Sequence, residues 1–362
     1  MIRMDKSLQV VVVHILIHIG LIFFIFPTNI IDSANAAHWI PILLGFLLHW
    51  TLVALYTKGL SRFENKNLLD IYIQFGKPVA VIFLLPLFVY LFMVTTVTIR
   101  AYAETISLVF LSNTPLWAIM LLTLLISTYI TSLGVQALFR TGVLMALIFF
   151  PLIAFVLCMS FQNIDWHYIF PLWDSRFSFL SDPNYLESSF AFFGGFMYLG
   201  FIQPKVPYNR KKIVWWSLAL LPFFLLAVYI PVLTFGEDTA SQYHFPFIVA
   251  VDTIDITWLM FDRITMFFLL CTVTFVMLFT ALTAWINVEI LRRCVPKSIR
   301  TSYLAIGMSL LTFIGGIHIP DWRDVDSLFM VNALMRLYVY LTIPSSVFIL
   351  GRLSRRKAAA AT

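Results

Sequence analysis

The chain has 362 residues, 61% of them hydrophobic and only 12% charged, with a formal net charge of +6. A soluble domain carries about 25% charged residues, so this composition excludes a water-soluble enzyme or binding module and indicates a polytopic membrane protein. In lipid every backbone polar group must be satisfied within the structure, which leaves helices or a closed barrel. The apolar runs here are about 20 residues long and do not alternate, which selects helices.

Ten hydrophobic spans are predicted, at about 8–31, 37–60, 79–110, 116–134, 141–161, 186–204, 213–235, 262–292, 300–318 and 327–350. The first follows MIRMDK and outwardly resembles a signal peptide. Its apolar run is too long and lacks a small-residue cleavage site, so it reads as an uncleaved helix. Only the loops at 162–185 and 236–261 are long enough to hold structure of their own. The stretch Asn65–Lys77 reads either as an amphipathic helix on the cytoplasmic surface or as an ordinary connector. The whole chain is expected to form one transmembrane domain over 1–362.

Loop charge alternates. Lys58, Arg62, Lys66 and Lys77 lie between spans 2 and 3, Arg140 between 4 and 5, and Lys205, Arg210, Lys211 and Lys212 after 6. Arg292, Arg293, Lys297 and Arg300 join 8 to 9, and Arg352, Arg355, Arg356 and Lys357 end the chain. The opposite loops are acidic, with Asp165, Asp174 and Asp182, then Glu237, Asp238, Asp252 and Asp255, then Asp321, Asp324 and Asp326. The Lys/Arg bias places the basic side, and with an even span count both termini, in the cytoplasm. Trp39, Trp117, Trp166, Trp173, Trp258 and Trp322 fall near the outer ends and suit an interfacial belt.

Two spans carry a weak point followed by a stop. Span 6, SSFAFFGGFMYLGFIQP over Ser188–Pro204, has Gly194-Gly195 at mid-depth; span 1 has Gly20 and then Pro27. Glycine costs about 1 kcal/mol relative to alanine inside a helix. Interrupted segments at corresponding places in two halves are the pointer to a transporter-type binding site.

Few residues offer chemistry. Arg100 and Glu104 share a helix face near the outer end of span 3. They read as a gate or proton-coupled pair, or as a structural tie near the interface, and their depth favours the tie. His14 and His18 lie one turn apart on span 1, with His49 on span 2. With no partner Glu or third ligand apparent, interhelical hydrogen bonding is expected and no metal site; His18, beside Gly20, also suits a proton-sensitive role. Cys158, Cys271 and Cys294 are widely spaced and suggest neither disulfides nor zinc. Spans 1 and 6 show no acid in their cores, and no nucleophile–base, HExxH or phosphate-loop motif occurs, so no catalytic residue, cofactor or nucleic-acid partner is expected. Tyr90 on span 3 needs a partner for its hydroxyl, from backbone or from a ligand.

Taken together, Gly20…Pro27, Arg100-x-x-x-Glu104, Thr114-Pro115-Leu116-Trp117, Gly134 with Arg140, Phe170-Pro171-Leu172, Phe192-Phe193-Gly194, Phe245-Pro246 and Asp262-Arg263 carry a resemblance. The chain resembles the spore germination permeases, the B subunits of nutrient germinant receptors, within the amino acid–polyamine–organocation superfamily. The resemblance implies an all-α integral membrane fold of ten transmembrane helices in two inverted five-helix repeats, about 8–161 and 186–350, with helices 1 and 6 interrupted in the LeuT manner. It implies a nutrient, an amino acid in first place, bound between helices 1 and 6. The ligand residues would be Gly20, Tyr90, Val94, Phe193, Gly194 and, on helix 8, Leu278 within the stretch Leu278–Thr280. It further implies a spore inner membrane location and two receptor partners, a larger membrane subunit and a lipoprotein. A proton- or sodium-coupled amino acid transporter of the same fold is the alternative. Two departures touch the site: Gly195 or Phe196 stands where relatives often carry an acid, and the glycine-rich start of helix 1 is reduced to Gly20.

Overall fold

The computed structural model describes residues 5–63, 65–174, 177–254 and 264–361, with side chains described as far as residue 354. Asp255, Trp258 and the Asp262-Arg263 pair lie outside the described residues, as do the side chains of Arg355, Arg356 and Lys357. The described chain is helical: α1 (Lys6–Ile22), α2 (Phe26–Ser33), α3 (Trp39–Leu60), α4 (Leu68–Gln74), α5 (Lys77–Val109), α6 (Leu116–Ser132), α7 (Val135–Met159), α8 (Pro183–Phe193), α9 (Leu199–Ile202), α10 (Arg210–Ser217), α11 (Leu220–Phe235), α12 (Glu237–Ala240), α13 (Pro246–Asp252), α14 (Thr265–Leu291), α15 (Thr301–Ile317) and α16 (Trp322–Ala361). Among these, six helical stretches are long and apolar enough to cross a membrane, or seven if α1 and α2 form one bent span. The apolar helices α6 and α15 have 17 residues each, about 26 Å at 1.5 Å per residue.

The first span breaks later than Gly20. Asp5 caps α1 by accepting from the Ser7 amide at 3.1 Å, and α1 runs through Gly20 to Ile22. The cause of the break is Pro27, whose ring would clash with the carbonyl of Phe23 four residues back and which has no amide hydrogen to donate. The helix therefore stops, and Pro27 sits in the first turn of α2, bent 57° from α1. Gly20 has a different task. A Cβ there would stand 2.9 Å from Phe275 Cβ and 3.2 Å from the backbone of α14, so glycine lets these two helices approach closely. In span 6 the break does fall on the glycines. Gly194 caps α8, and the chain re-forms one short turn, α9, before Pro204.

The long helix α14 lies at the centre, packed on α1, α5, α6, α7 and α15, while α16 covers α3, α5 and α8. Hydroxyls tie these apolar surfaces together. Thr95 donates to Thr283 at 2.9 Å, Thr131 to the Ala281 carbonyl at 3.0 Å and Ser127 to the Met277 carbonyl at 3.2 Å. The segment after α3 is a true short helix, α4, capped by Asn67 through the Asp70 amide at 2.8 Å. It buries Leu68, Leu69, Ile71 and Tyr72 against the protein, and Arg293 fixes Asp70 in an ion pair. Of the outer tryptophans, Trp117, Trp166 and Trp173 are exposed, as membrane anchors are.

The Arg100–Glu104 pair is a clamp. Arg100 is 4% exposed and meets Glu104 at 2.5 Å, while Nε and Nη2 donate to the carbonyls of Ile319 and Pro320 at 2.9 and 3.0 Å. One guanidinium thus closes the end of α15 onto α5.

Two outcomes follow for thermal unfolding of the purified protein. Gly20→Leu is expected to destabilise by about 1–3 kcal/mol, because the new side chain meets backbone that cannot yield. Gly307→Leu, where a Cβ meets nothing within 4 Å, stays within about 0.5 kcal/mol; equal losses in both would refute the close contact. Arg100→Leu leaves Glu104 and two carbonyls unpaired and is expected to cost about 3–5 kcal/mol. A loss no larger than that of an exposed Lys→Leu change would show that the clamp carries no stability.

Candidate functional site

Breaking two membrane helices frees carbonyls in a region without water, and each must find a donor. Tyr102, buried on α5, donates its hydroxyl to the Gly20 carbonyl, and its ring stacks on Phe24 at 4.2 Å. Tyr56 on α3 does the same for Met197 in the second break, at 3.2 Å. Tyr198 in that break donates back to the Val10 carbonyl of α1 at 3.3 Å. The two broken spans are thus fixed to each other and to the surrounding helices by phenols.

Beside the second break lies a small cavity. It is lined by Leu91, Gly194, Gly195, Phe279, Leu282, Thr283 and Tyr340, among others. Its walls come from α5, the α8–α9 break, α14 and α16. Water centres have about 10 Å³ of room in it, enough for about one water. The conformation is closed: an amino acid fits only if the walls move apart.

The residues expected to meet a ligand divide into two groups. Gly194 lines this cavity, and Phe193 stacks on the cavity residue Tyr340, rings 5.4 Å apart at 18°. Tyr90 is fully buried and meets Tyr340 edge-on at 5.7 Å, and Val94 is buried one turn further along α5. Gly20 and Leu278 face elsewhere. Gly20 packs on α14, and Leu278 turns its methyl groups toward Gly142 on α7. At about 100° per residue, the neighbours Phe279, Leu282 and Thr283 are the α14 residues that reach the cavity. Arg100 and Glu104 belong to the α5–α15 clamp.

The polar chemistry of the site comes from residues absent from the sequence-based list. Arg336 on α16 is fully buried. It donates to Ser189 Oγ at 2.9 Å and to the Glu187 carbonyl at 3.2 Å, and its Nη1 has no partner among the described residues. Glu187, 2% exposed, corrects the expectation of a helix 6 without a buried acid, yet no ion pair joins it to Arg336 among the described residues. One turn beyond Arg336 lies Tyr340. Its phenol oxygen and that of Tyr90 lie close together, and neither completes a hydrogen bond of good geometry. Asn332 Nδ2 reaches the Tyr90 carbonyl at 3.5 Å, while its Oδ1 lacks a partner. Removing a charged group from water costs several kcal/mol even after relaxation, so a buried arginine with a free donor is a candidate functional position. It was open to detection: Arg336 is the one charged residue within predicted span 10.

On the other side of the second break, His14 and His18 on α1 meet His49 on α3. Ring centroids are 4.5, 5.0 and 6.0 Å apart, and all three residues are buried. The third imidazole not apparent in sequence is therefore present in space.

The comparisons agree with this architecture. Residues 6–319 match the family described as spore germination protein. The fold is similar to the crystal structure of MhsT in complex with L-phenylalanine, with a TM-score of 0.61 at 14% identity, covering 93% of this chain and 88% of that one. A search of curated proteins returns no match. A family match over most of the chain, on an all-helical LeuT-type fold with several apolar spans, makes this a multi-pass membrane protein of permease type, and the chain belongs to the spore germination permease family.

Proposed function

We propose that this protein is the nutrient-sensing membrane subunit of a spore germinant receptor, and that an amino acid binds at the break in the sixth span. The observation that carries this reading is the cavity at Gly194-Gly195 with the buried Arg336, Tyr90 and Tyr340 group beside it. The free Arg336 donor and two phenols suit a carboxylate, which guanidinium binds through charge-assisted hydrogen bonds. Phe193, Val94, Leu282 and Phe279 supply the apolar surface that selects a side chain. Glu187, acidic and buried nearby, suits the amine of the same ligand.

The architecture read with this function has ten spans. They are the bent α1–α2, then α3, α5, α6 and α7, and in a second inverted repeat the broken α8–α9, then α10–α11, α14, α15 and α16. Both termini face the cytoplasm of the spore inner membrane, on the Lys/Arg pattern of the loops. In the closed conformation the site excludes an amino acid, so binding favours an opened arrangement. The shift cannot exceed the ligand's differential affinity for the two states. In a receptor that shift passes to a larger membrane subunit and a lipoprotein. The second reading is a proton- or sodium-coupled amino acid transporter of the same fold, and the similarly folded MhsT holds L-phenylalanine in its crystal structure.

Heat stability of the protein in nanodiscs, with each amino acid in turn, tests the site. A ligand at 100 times its Kd stabilises by about 2.7 kcal/mol. Its decarboxylated amine is expected to lose that effect, and Arg336→Leu and Tyr90→Phe to weaken binding at least about tenfold, the loss of one charge-assisted bond. Amines that stabilise as well as amino acids would sink the carboxylate assignment. Uptake in proteoliposomes separates the two readings: accumulation driven by an ion gradient would replace the sensor with the transporter.

A further inference from the structure

We infer that His14, His18 and His49 form a binding site for a transition-metal ion of the zinc or copper type. The first observation is convergence. One nitrogen from each ring lies within 4.8 Å of the others, and all three side chains are at most 1% exposed. Three imidazoles on one ion at about 2.0–2.1 Å stand about 3.3 Å apart, so rotations that move each ring by about an ångström assemble the shell.

The second observation is the direction of the lone pairs. His18 Nδ1 lies 2.7 Å from the His14 carbonyl, which only accepts, so Nδ1 carries the proton and Nε2 keeps its lone pair. Ser217 gives its hydroxyl proton to the Ile213 carbonyl at 2.8 Å. At 3.2 Å from His14 Nε2 it therefore accepts, which protonates Nε2 and leaves the lone pair on His14 Nδ1. His18 Nε2 and His14 Nδ1 are the atoms left without partners. The Phe192 carbonyl lies to one side of the His49 ring, and neither His49 nitrogen completes a hydrogen bond. His14 and His18 have the arrangement of metal-bound histidines, one nitrogen held by a hydroxyl or carbonyl and the other turned to the ion.

The third observation is the kind of ligand. No carboxylate or cation faces the cluster among the described residues; besides one another and Ser217, the rings meet the aromatic rings of Tyr198, Phe46 and Phe196. Sodium, magnesium and calcium take oxygen ligands, whereas neutral imidazole suits zinc and copper. The absence of an acid leaves the ion's own charge uncompensated, which favours monovalent copper over divalent zinc on desolvation grounds. The site joins α1 to α3, with Ser217 contributed by α10. A Cβ on Gly195 would stand 2.9 Å from His18 Cε1, so a bound ion would brace α1 against the break in the sixth span. The inference stands independently of the proposed nutrient site.

The test uses the full-length protein in nanodiscs, stripped with a chelator and then dialysed against Zn²⁺ or against Cu⁺ kept reduced. Metal per chain and X-ray absorption are measured. One equivalent of one of the two ions is expected, with imidazole nitrogens at about 2.0 Å. His49→Leu and His18→Leu are expected to weaken binding at least about tenfold, and Ser217→Ala by about tenfold. His167→Leu and His318→Leu, at exposed histidines, leave binding unchanged. Metal raises the unfolding temperature of the wild type but not of His49→Leu. Substoichiometric metal in the wild type, a shell without imidazole, or loss confined to the exposed histidines overturns the site; the wild-type arms decide even where a variant fails to fold.

Discussion

The need to satisfy backbone carbonyls away from water governs the centre of this structure. Where α1 stops and where α8 stops, carbonyls lose their helical donors at a depth where lipid supplies none. Tyr102 meets this need at Gly20, and Tyr56 adds a second donor at Met197, whose carbonyl also accepts from the Gly200 amide at 3.3 Å. Tyrosine suits the task because its ring joins the apolar packing while its hydroxyl reaches a single acceptor. Tyr102 shows both halves at once, stacked on Phe24 and bonded to Gly20. The breaks are thus held open at low cost, and a mid-depth site becomes possible in a chain that is otherwise continuous helix.

The same constraint separates two kinds of buried polar group. Thr95 on α5 and Thr131 on α6 bond back to their own helices and across to α14, and such hydroxyls serve as glue, although Thr98 and Thr280 keep unpaired hydroxyls. Arg100 is likewise fully employed by Glu104 and two carbonyls. Arg336, Tyr90, Tyr340 and Asn332 differ in keeping unpaired atoms. A structural role would favour their complete pairing or replacement by apolar residues. Their incomplete pairing, beside a cavity at a helix break, is what connects the packing of α16 to recognition.

Much of the fold was legible because membrane helices advertise themselves by length and apolarity: the apolar stretches read from the chain fall on described helices, but α7 begins at Val135 rather than 141, which takes Arg140 out of the expected loop and into the helix, and α16 extends beyond its predicted span at both ends. The break at Gly194-Gly195 was legible too, since two adjacent glycines weaken an apolar helix, although both glycines also serve the close approach of α1. Gly20 misled because the same residue type serves close helix approach, and the break is set by Pro27 acting on the carbonyl of Phe23. On helix 8 the expected stretch Leu278–Thr280 includes Phe279, which lines the cavity, while Leu278, turned by about 100°, packs toward α7. The histidine cluster was half legible. The i, i+4 spacing of His14 and His18 is visible along one helix, but the arrival of His49 depends on how α3 packs against α1, which no local pattern encodes.

Gly195 brings these threads together. Ile17 and His18 of α1 press against it, at 2.8 and 2.9 Å from where a Cβ would stand. An acid at this position would need α1 to retreat and the histidines to separate. The chain keeps glycine here, and with it the close contact between the broken sixth span and the imidazole cluster. The charges near the cavity then come from elsewhere, from Arg336 on α16 and from Glu187 on α8. Under the proposed reading, Arg336 holds the nutrient's carboxylate and Glu187 suits its amine, and an acid at the glycine break itself is not required.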